Sequence, residues 1–141
     1  MPKDCIAPFQ AVGGKCIFID IFTFGTWREC RNVCLSLGGD LAKVETGNFF
    51  SDIIVYMHEN GWADLNYWLG ATDKVQEGVW RWVDESIVQM GTPFWANYGR
   101  DNYQEPTGGE EQNCLILDPS KHLYFCDASC NYENGHAICE A

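Results

Sequence analysis

The segment Gln104-Glu105-Pro106-Thr107-Gly108-Gly109-Glu110-Glu111-Gln112-Asn113-Cys114 crowds carboxylate, amide and hydroxyl oxygens around one proline. Such a loop suits a hard divalent cation, because calcium takes about six to eight oxygen ligands and tolerates irregular geometry. Farther along, Phe125-Cys126-Asp127 supplies another carboxylate beside a thiol.

Other chemistries are less well supplied. Cys30-x3-Cys34 and Cys126-x3-Cys130 share a spacing, and four thiolates at such intervals could hold zinc tetrahedrally. Disulfides are the favoured reading, since eight cysteines in 141 residues, an even number, fit an oxidising compartment and no histidine lies near either pair in the sequence. Spacing alone leaves many connectivities open. A nucleophile with a positioned base is not visible among the serines and His58, His122 and His136. Glu105 with Asp127 could be a hydrolytic carboxylate pair, but the metal reading is simpler, and the chain is read as a binding protein rather than an enzyme.

Composition narrows the partners. A formal net charge of -11 argues against a nucleic-acid backbone or an anionic membrane surface, since both demand basic protein surface. A neutral ligand or a cation fits better, although much of the acidity serves solubility. No apolar run approaches the roughly 20 residues needed to span a bilayer. Met1-Pro2-Lys3-Asp4 does not read as a secretory leader, so a secreted protein whose leader has been removed is expected. Six Trp, six Tyr and eight Phe suffice for a packed core, and residues 1–141 read as one α+β domain without repeat or linker.

The elements that must position the loop can be placed from local signals. Cys5 and Cys16 bracket Gly13-Gly14, with Ile17-Phe18-Ile19 following, which predicts a small N-terminal hairpin. Thr26-Trp27-Arg28-Glu29 is a capping-box pattern opening a helix to about Leu37, with Trp27, Cys30, Cys34 and Leu37 on one face. Phe49, Phe50, Ile53, Ile54 and Met57 recur at helical spacing and predict a second helix from near Thr46 to near Gly61. From Trp62 onward short apolar runs alternate with Gly, Asp, Asn and Pro, as expected of strands and long loops. Trp68, Trp80 and Trp82 are expected in the core, while Trp95, Tyr98 and Tyr103 could stack on a ligand ring. His122 and His136 are expected in loops, and Asp73 and Glu77 as turn caps or solvated groups.

Taken together these features resemble the C-type lectin-like domain in its long form, from Cys5 to Glu140. The resemblance is carried by Trp27 through Cys34 into Leu37-Gly38-Gly39-Asp40-Leu41-Ala42, by Trp68-Leu69-Gly70-Ala71, by Trp80-Arg81-Trp82-Val83-Asp84 and by Phe94-Trp95. The wording around Leu37 to Val44 and Gly91 to Trp95 is similar to soluble arthropod immune lectins. The implied fold is two helices with small antiparallel sheets and a long ligand-binding loop region. The implied disulfides are Cys5–Cys16, Cys34–Cys139 and Cys114–Cys130. Cys30 and Cys126 are left over, and parity suggests a fourth bond between them, with a reduced thiol or an intermolecular bridge as alternatives.

The resemblance also implies a site. Glu105-Pro106 stands where the family opens its calcium loop, with the proline expected in cis and Glu105 both a metal ligand and an acceptor from a sugar hydroxyl. Thr107 replaces an Asn, keeping an oxygen but losing the amide donor. Gln112 stands for a Glu, so Glu110 or Glu111 could swing in. Cys126 replaces an amide ligand, and Asp127 is retained. The expected ligand set is therefore Glu105, Thr107, Gln112 and Asp127, lining the ligand with Pro106. Calcium is expected to bind weakly, in the range of roughly 0.1 to 1 mM, because affinity falls with ligand charge and number. An auxiliary site hinted at by Asp73 and Glu77 is expected vacant, since Gly108 and Asn113 replace its acidic residues. The implied partners are glycans on microbial or host surfaces, mannose-type rather than galactose-type because Glu105 is not Gln, with homo-oligomers possible. The alternative is a calcium-independent module binding a protein, lipid or ice.

Overall fold

A computed structural model describes residues 5–76, 79–88, 97–98, 103–104, 113–119 and 123–141. Two helices and a mixed sheet make up the fold. The chain opens with β1 (Gln10–Val12) turning into the long β2 (Lys15–Gly25). Gly13 and Gly14 make that turn with φ of 59° and 82°, a region closed to most L-residues, and Cys5–Cys16 clips the hairpin.

Helix α1 (Trp27–Ser36) starts as the sequence dictates. Thr26 accepts from the Glu29 amide while the Glu29 carboxylate accepts from the Thr26 amide, so two orphan donors are satisfied reciprocally. Trp27, Cys30 and Cys34 form its buried face, but Leu37 falls beyond the last turn as the C-cap and is 38% exposed. After β3 (Asp40–Leu41), Thr46 caps α2 (Gly47–Glu59), whose Phe49, Phe50, Ile53 and Met57 are buried.

The remaining strands are β4 (Asn66–Thr72), β5 (Arg81–Trp82), β6 (Asn97–Tyr98), β7 (Tyr103–Gln104), β8 (Cys114–Asp118), β9 (Tyr124–Ala128) and β10 (Gly135–Glu140). Eight strands join in one sheet of order β1-β2-β10-β4-β8-β9, with β3 on β10 and β5 on β4, while β6 and β7 form a separate ribbon. The sheet is mixed: β10 runs parallel to β4 and antiparallel to β2. Strand alternation then divides the core in two. Leu115, Leu117 and Phe125 face the group that includes Ile53, Met57, Trp80 and Trp82. Cys114, Ile116 and Cys126 face the group built around Trp27, Cys34 and Trp68.

Trp68 is the hinge pin of that second group. It is fully buried, donates from Nε1 to the Gly25 carbonyl at 2.9 Å, and lies so close to Gly135 that a Cβ there would sit 2.1 Å from Nε1. Cys34–Cys139 ties α1 to β10 across 105 residues, and Cys114–Cys130 ties β8 to the turn after β9.

No disulfide joins Cys30 to Cys126, which corrects the expectation from parity: both are buried thiols. Their environments explain it. The Cys30 sulfur lies 3.3 Å from the Gly135 carbonyl and 3.9 Å from that of Gly25, under α1, while the Cys126 sulfur lies 3.6 Å from the Tyr124 carbonyl in β9. Burial, with the Asp20 charge adding to it, pushes the Cys30 thiol up to about 12.

At the far edge, β1 covers β2 only from Lys15 to Ile17. Beyond that point Asp20 folds its carboxylate back on its own strand, accepting from the amides of Phe22 and Thr23 at 3.0 and 3.2 Å and from the Thr23 hydroxyl. Phe22 and Phe24 project from this stretch, 85% and 64% exposed.

Candidate functional site

Three neighbouring strands end together where the oxygen-rich loop rejoins the sheet. Thr72, the last residue of β4, is paired with Cys114, the first of β8, and Cys114 is paired with Ala128, the last of β9. Asp73 and Asn113 therefore extend side by side from this end, and the Asp73 amide donates to the Asn113 carbonyl at 3.0 Å. Asp127 lies one residue before the end of β9, opposite Leu115. Asp73 is 3% exposed and Asp127 7% exposed. The expectation of a solvated Asp73 is thus corrected: it follows directly on a strand whose interior, Tyr67 to Ala71, is buried, and it is carried inside.

Two buried carboxylates at one sheet end matter energetically. Charged oxygens taken out of water cost free energy that hydrogen bonds or a cation must offset. The donor chemistry present here, carboxylate and amide oxygen, suits calcium rather than a soft metal.

Cys126 and Asp127 are neighbours with opposite orientations. Asp127 shares its sheet face with Phe125, and Cys126 shares the other with Ile116. Both border a concavity of about 440 Å³ whose wall also includes Ile116, Asp118, Ser129 and Tyr132. Asn66 steadies its rim by donating to the Tyr132 hydroxyl at 3.2 Å.

Of the sequence-derived ligands, Asp127 is the one within the described residues. Glu105, Pro106, Thr107 and Gln112 lie outside them, as do Gly108, Glu110, Glu111, Glu77, Phe94, Trp95 and His122 and the side chains of Tyr98 and Tyr103. Among the described residues no group of three or more His, Cys, Asp or Glu side chains could hold a metal ion. Trp68, Trp80 and Trp82 are buried as core. His58 sits in the last turn of α2. His136, expected in a loop, belongs to β10, where it is buried with Nδ1 3.1 Å from the Asp20 carbonyl oxygen.

The sequence carries the Lectin C-type domain over residues 25–141. This chain belongs to the C-type lectin family. Human C-type lectin domain family 4 member D is 27% identical over 130 residues, covering 92% of this chain and 55% of the relative. The mosquito lectin mosGCTL-7 of Aedes aegypti is 24% identical over 120 residues, covering 81% of this chain and 75% of the relative. Against several curated relatives the chain spans about half of their length or less.

Solved structures agree on the fold. An SPL-1–GlcNAc complex superposes with a TM-score of 0.78 at 22% identity, covering 99% of this chain and 96% of that one. Herring type II antifreeze protein superposes with a TM-score of 0.76 at 17% identity, covering 97% and 98%. C-type lectin domains usually bind calcium and carbohydrate and are generally not enzymes. No helix among the described residues is long and apolar enough to cross a membrane.

Proposed function

We propose that this chain is a secreted carbohydrate-recognition domain, spanning residues 1–141, that binds mannose-type or related glycans through a weakly held calcium ion in innate immune recognition. The observation that carries the reading is Asp127: a buried carboxylate held on a strand at the sheet end where the loop containing Glu105 returns through Asn113. Glu105, Thr107, Gln112 and Asp127 would hold the ion, with Pro106 shaping the loop. Calcium would supply a charge that vicinal sugar hydroxyls can approach, and Glu105 would accept from one of them. The chain acts by binding and performs no reaction. Titration calorimetry with calcium, then mannose and galactose, tests the reading. Heat with mannose that disappears in EGTA supports it; heat from neither sugar, with glycan-array signals unchanged by EGTA, overturns calcium-mediated binding.

A second reading has its own observation. Cys126 packs with Ile116 and offers a soft thiol, so an oxygen ligand expected of the family is lost in chemistry. A calcium-independent module binding a protein, lipid or ice fits that loss, and herring antifreeze protein shares the architecture. A melting temperature that rises with millimolar calcium counts against this reading.

A further inference from the structure

The concavity beside Cys126 joins an apolar floor to a polar rim. Ile116 and Cys126 are cross-strand partners on β8 and β9, both buried, and they supply the floor. Asn66, Ser129 and Tyr132 supply the rim.

Tyr132 is 37% exposed, yet its ring is set before any ligand arrives. Asn66 Nδ2 donates to its hydroxyl at 3.2 Å, and the ring meets the buried Trp68 in an edge contact with centres 6.3 Å apart. Its main chain is held as well. The Tyr132 amide donates to the Ser129 carbonyl at 3.0 Å, and Cys130, between the two, is bonded to Cys114. A solvent-facing aromatic restrained in this way loses little further entropy when a ligand packs on it.

The hydrogen-bonding capacity left on the rim defines the ligand. After its bond to Tyr132, the Asn66 amide retains a carbonyl oxygen and one N–H, and the Tyr132 hydroxyl retains its proton. The Ser129 hydroxyl oxygen accepts from the Asn131 amide at 3.3 Å and keeps its own proton to donate. Donors and acceptors are therefore mixed around one aromatic ring. No Lys, Arg or His is among the described residues that line the concavity, whereas Asp118 and Asp127 are, so an anionic ligand would be repelled. A wholly apolar ligand would cover the rim groups without bonding them. A neutral ring with hydroxyls at its edge and C–H bonds on its faces satisfies both parts. The volume of about 440 Å³ is within the roughly 300–1,000 Å³ of small-molecule sites.

We propose that this concavity seats a neutral pyranose residue of a glycan, packed on Tyr132 and hydrogen-bonded by Asn66 and Ser129, without calcium. The assignment goes beyond the ion-held sugar proposed above and does not rest on it, since it uses neither Glu105 nor the ion. The test is an NMR titration of the isotope-labelled chain in EGTA with methyl α-mannoside, methyl β-galactoside and N-acetylglucosamine in turn. At least one should give saturable shifts centred on Asn66, Ser129 and Tyr132. Tyr132→Ala should weaken that binding roughly tenfold, and Tyr132→Phe, which keeps the ring, about threefold through the lost hydroxyl. Saturable shifts from none of the three sugars, or shifts centred elsewhere, overturn the site. So does a folded Tyr132→Ala variant that binds as the wild type does; if that variant does not fold, unchanged binding in both Tyr132→Phe and Asn66→Ala overturns it. Equal shifts at the same residues from butanol overturn the saccharide assignment. Saturable EGTA shifts in a protein that gives no calcium-dependent mannose heat uphold this site and overturn the ion-held reading alone.

Discussion

One sheet carries two regions of opposite character. Where α1 lies against β10, the contact is made of Trp27, Cys30, Cys34, Ala137 and Cys139, and a disulfide locks it. Where β4, β8 and β9 end together, the sheet buries Asp73 and Asp127 beside Asn113. The first region gains from removing apolar surface from water; the second sacrifices some of that gain to keep oxygens in place. Apolar packing and buried oxygens thus fall to different parts of one sheet.

The largest expected effect breaks the apolar region. Replacing Cys34 and Cys139 together by Ala should cost about 4 kcal/mol in denaturant unfolding, since the bond closes a loop of 105 residues. A loss under about 1 kcal/mol would show that α1 and β10 hold each other without it. Next, Trp68→Phe should cost about 2 kcal/mol, because it leaves the buried Gly25 carbonyl without its donor and opens space beside Gly135.

Asp127→Asn addresses the other region. It keeps the shape, removes the charge and should weaken calcium binding roughly tenfold, read as a smaller calcium-induced rise in melting temperature. If the apo protein instead loses stability as heavily as Trp68→Phe does, the two regions do not differ as described.

Acid and base sharpen the contrast further. The neutral Cys30 thiol contributes stability below its unfolded value of about 8.5, and that contribution is lost as pH rises toward about 12. Cys30→Ala should flatten the alkaline limb of the stability curve. The smallest effect concerns Asp84, held well below the usual carboxylate range first by Lys43 and then by Ser86. Its folded value is depressed, so its contribution is present above about pH 4 and fades as pH falls through the folded value. Because the pair is solvent-screened, Asp84→Asn should cost only a few tenths of a kcal/mol at neutral pH and nothing in strong acid.

What could be read in the sequence was local. Thr26 with Glu29, Thr46, and Gly13-Gly14 between Cys5 and Cys16 are short-range signals, and the structure builds α1, α2 and the first hairpin on them. The resemblance to C-type lectins contributed the pairing of Cys34 with Cys139 and of Cys114 with Cys130, which no spacing rule could choose. What stayed hidden depends on register. That Asp73 is buried follows from the pairing of Thr72 with Cys114, and that His136 lies in a strand follows from the parallel alignment of β10 with β4. The direction of Cys126 was legible in principle, since alternation with Phe125 would have set it once β9 was recognised.

The inward-folded carboxylate of Asp20 has a consequence for how the molecule behaves in crowded solution. Among the described residues no strand pairs with the outer side of β2 past Ile17, the kind of edge that recruits foreign strands, and Phe22 and Phe24 stand exposed on this stretch. By engaging two main-chain donors of that stretch, Asp20 withholds part of the hydrogen-bonding template on which a cross-β stack would grow. A single acidic side chain thereby takes up main-chain donors that an incoming strand would need.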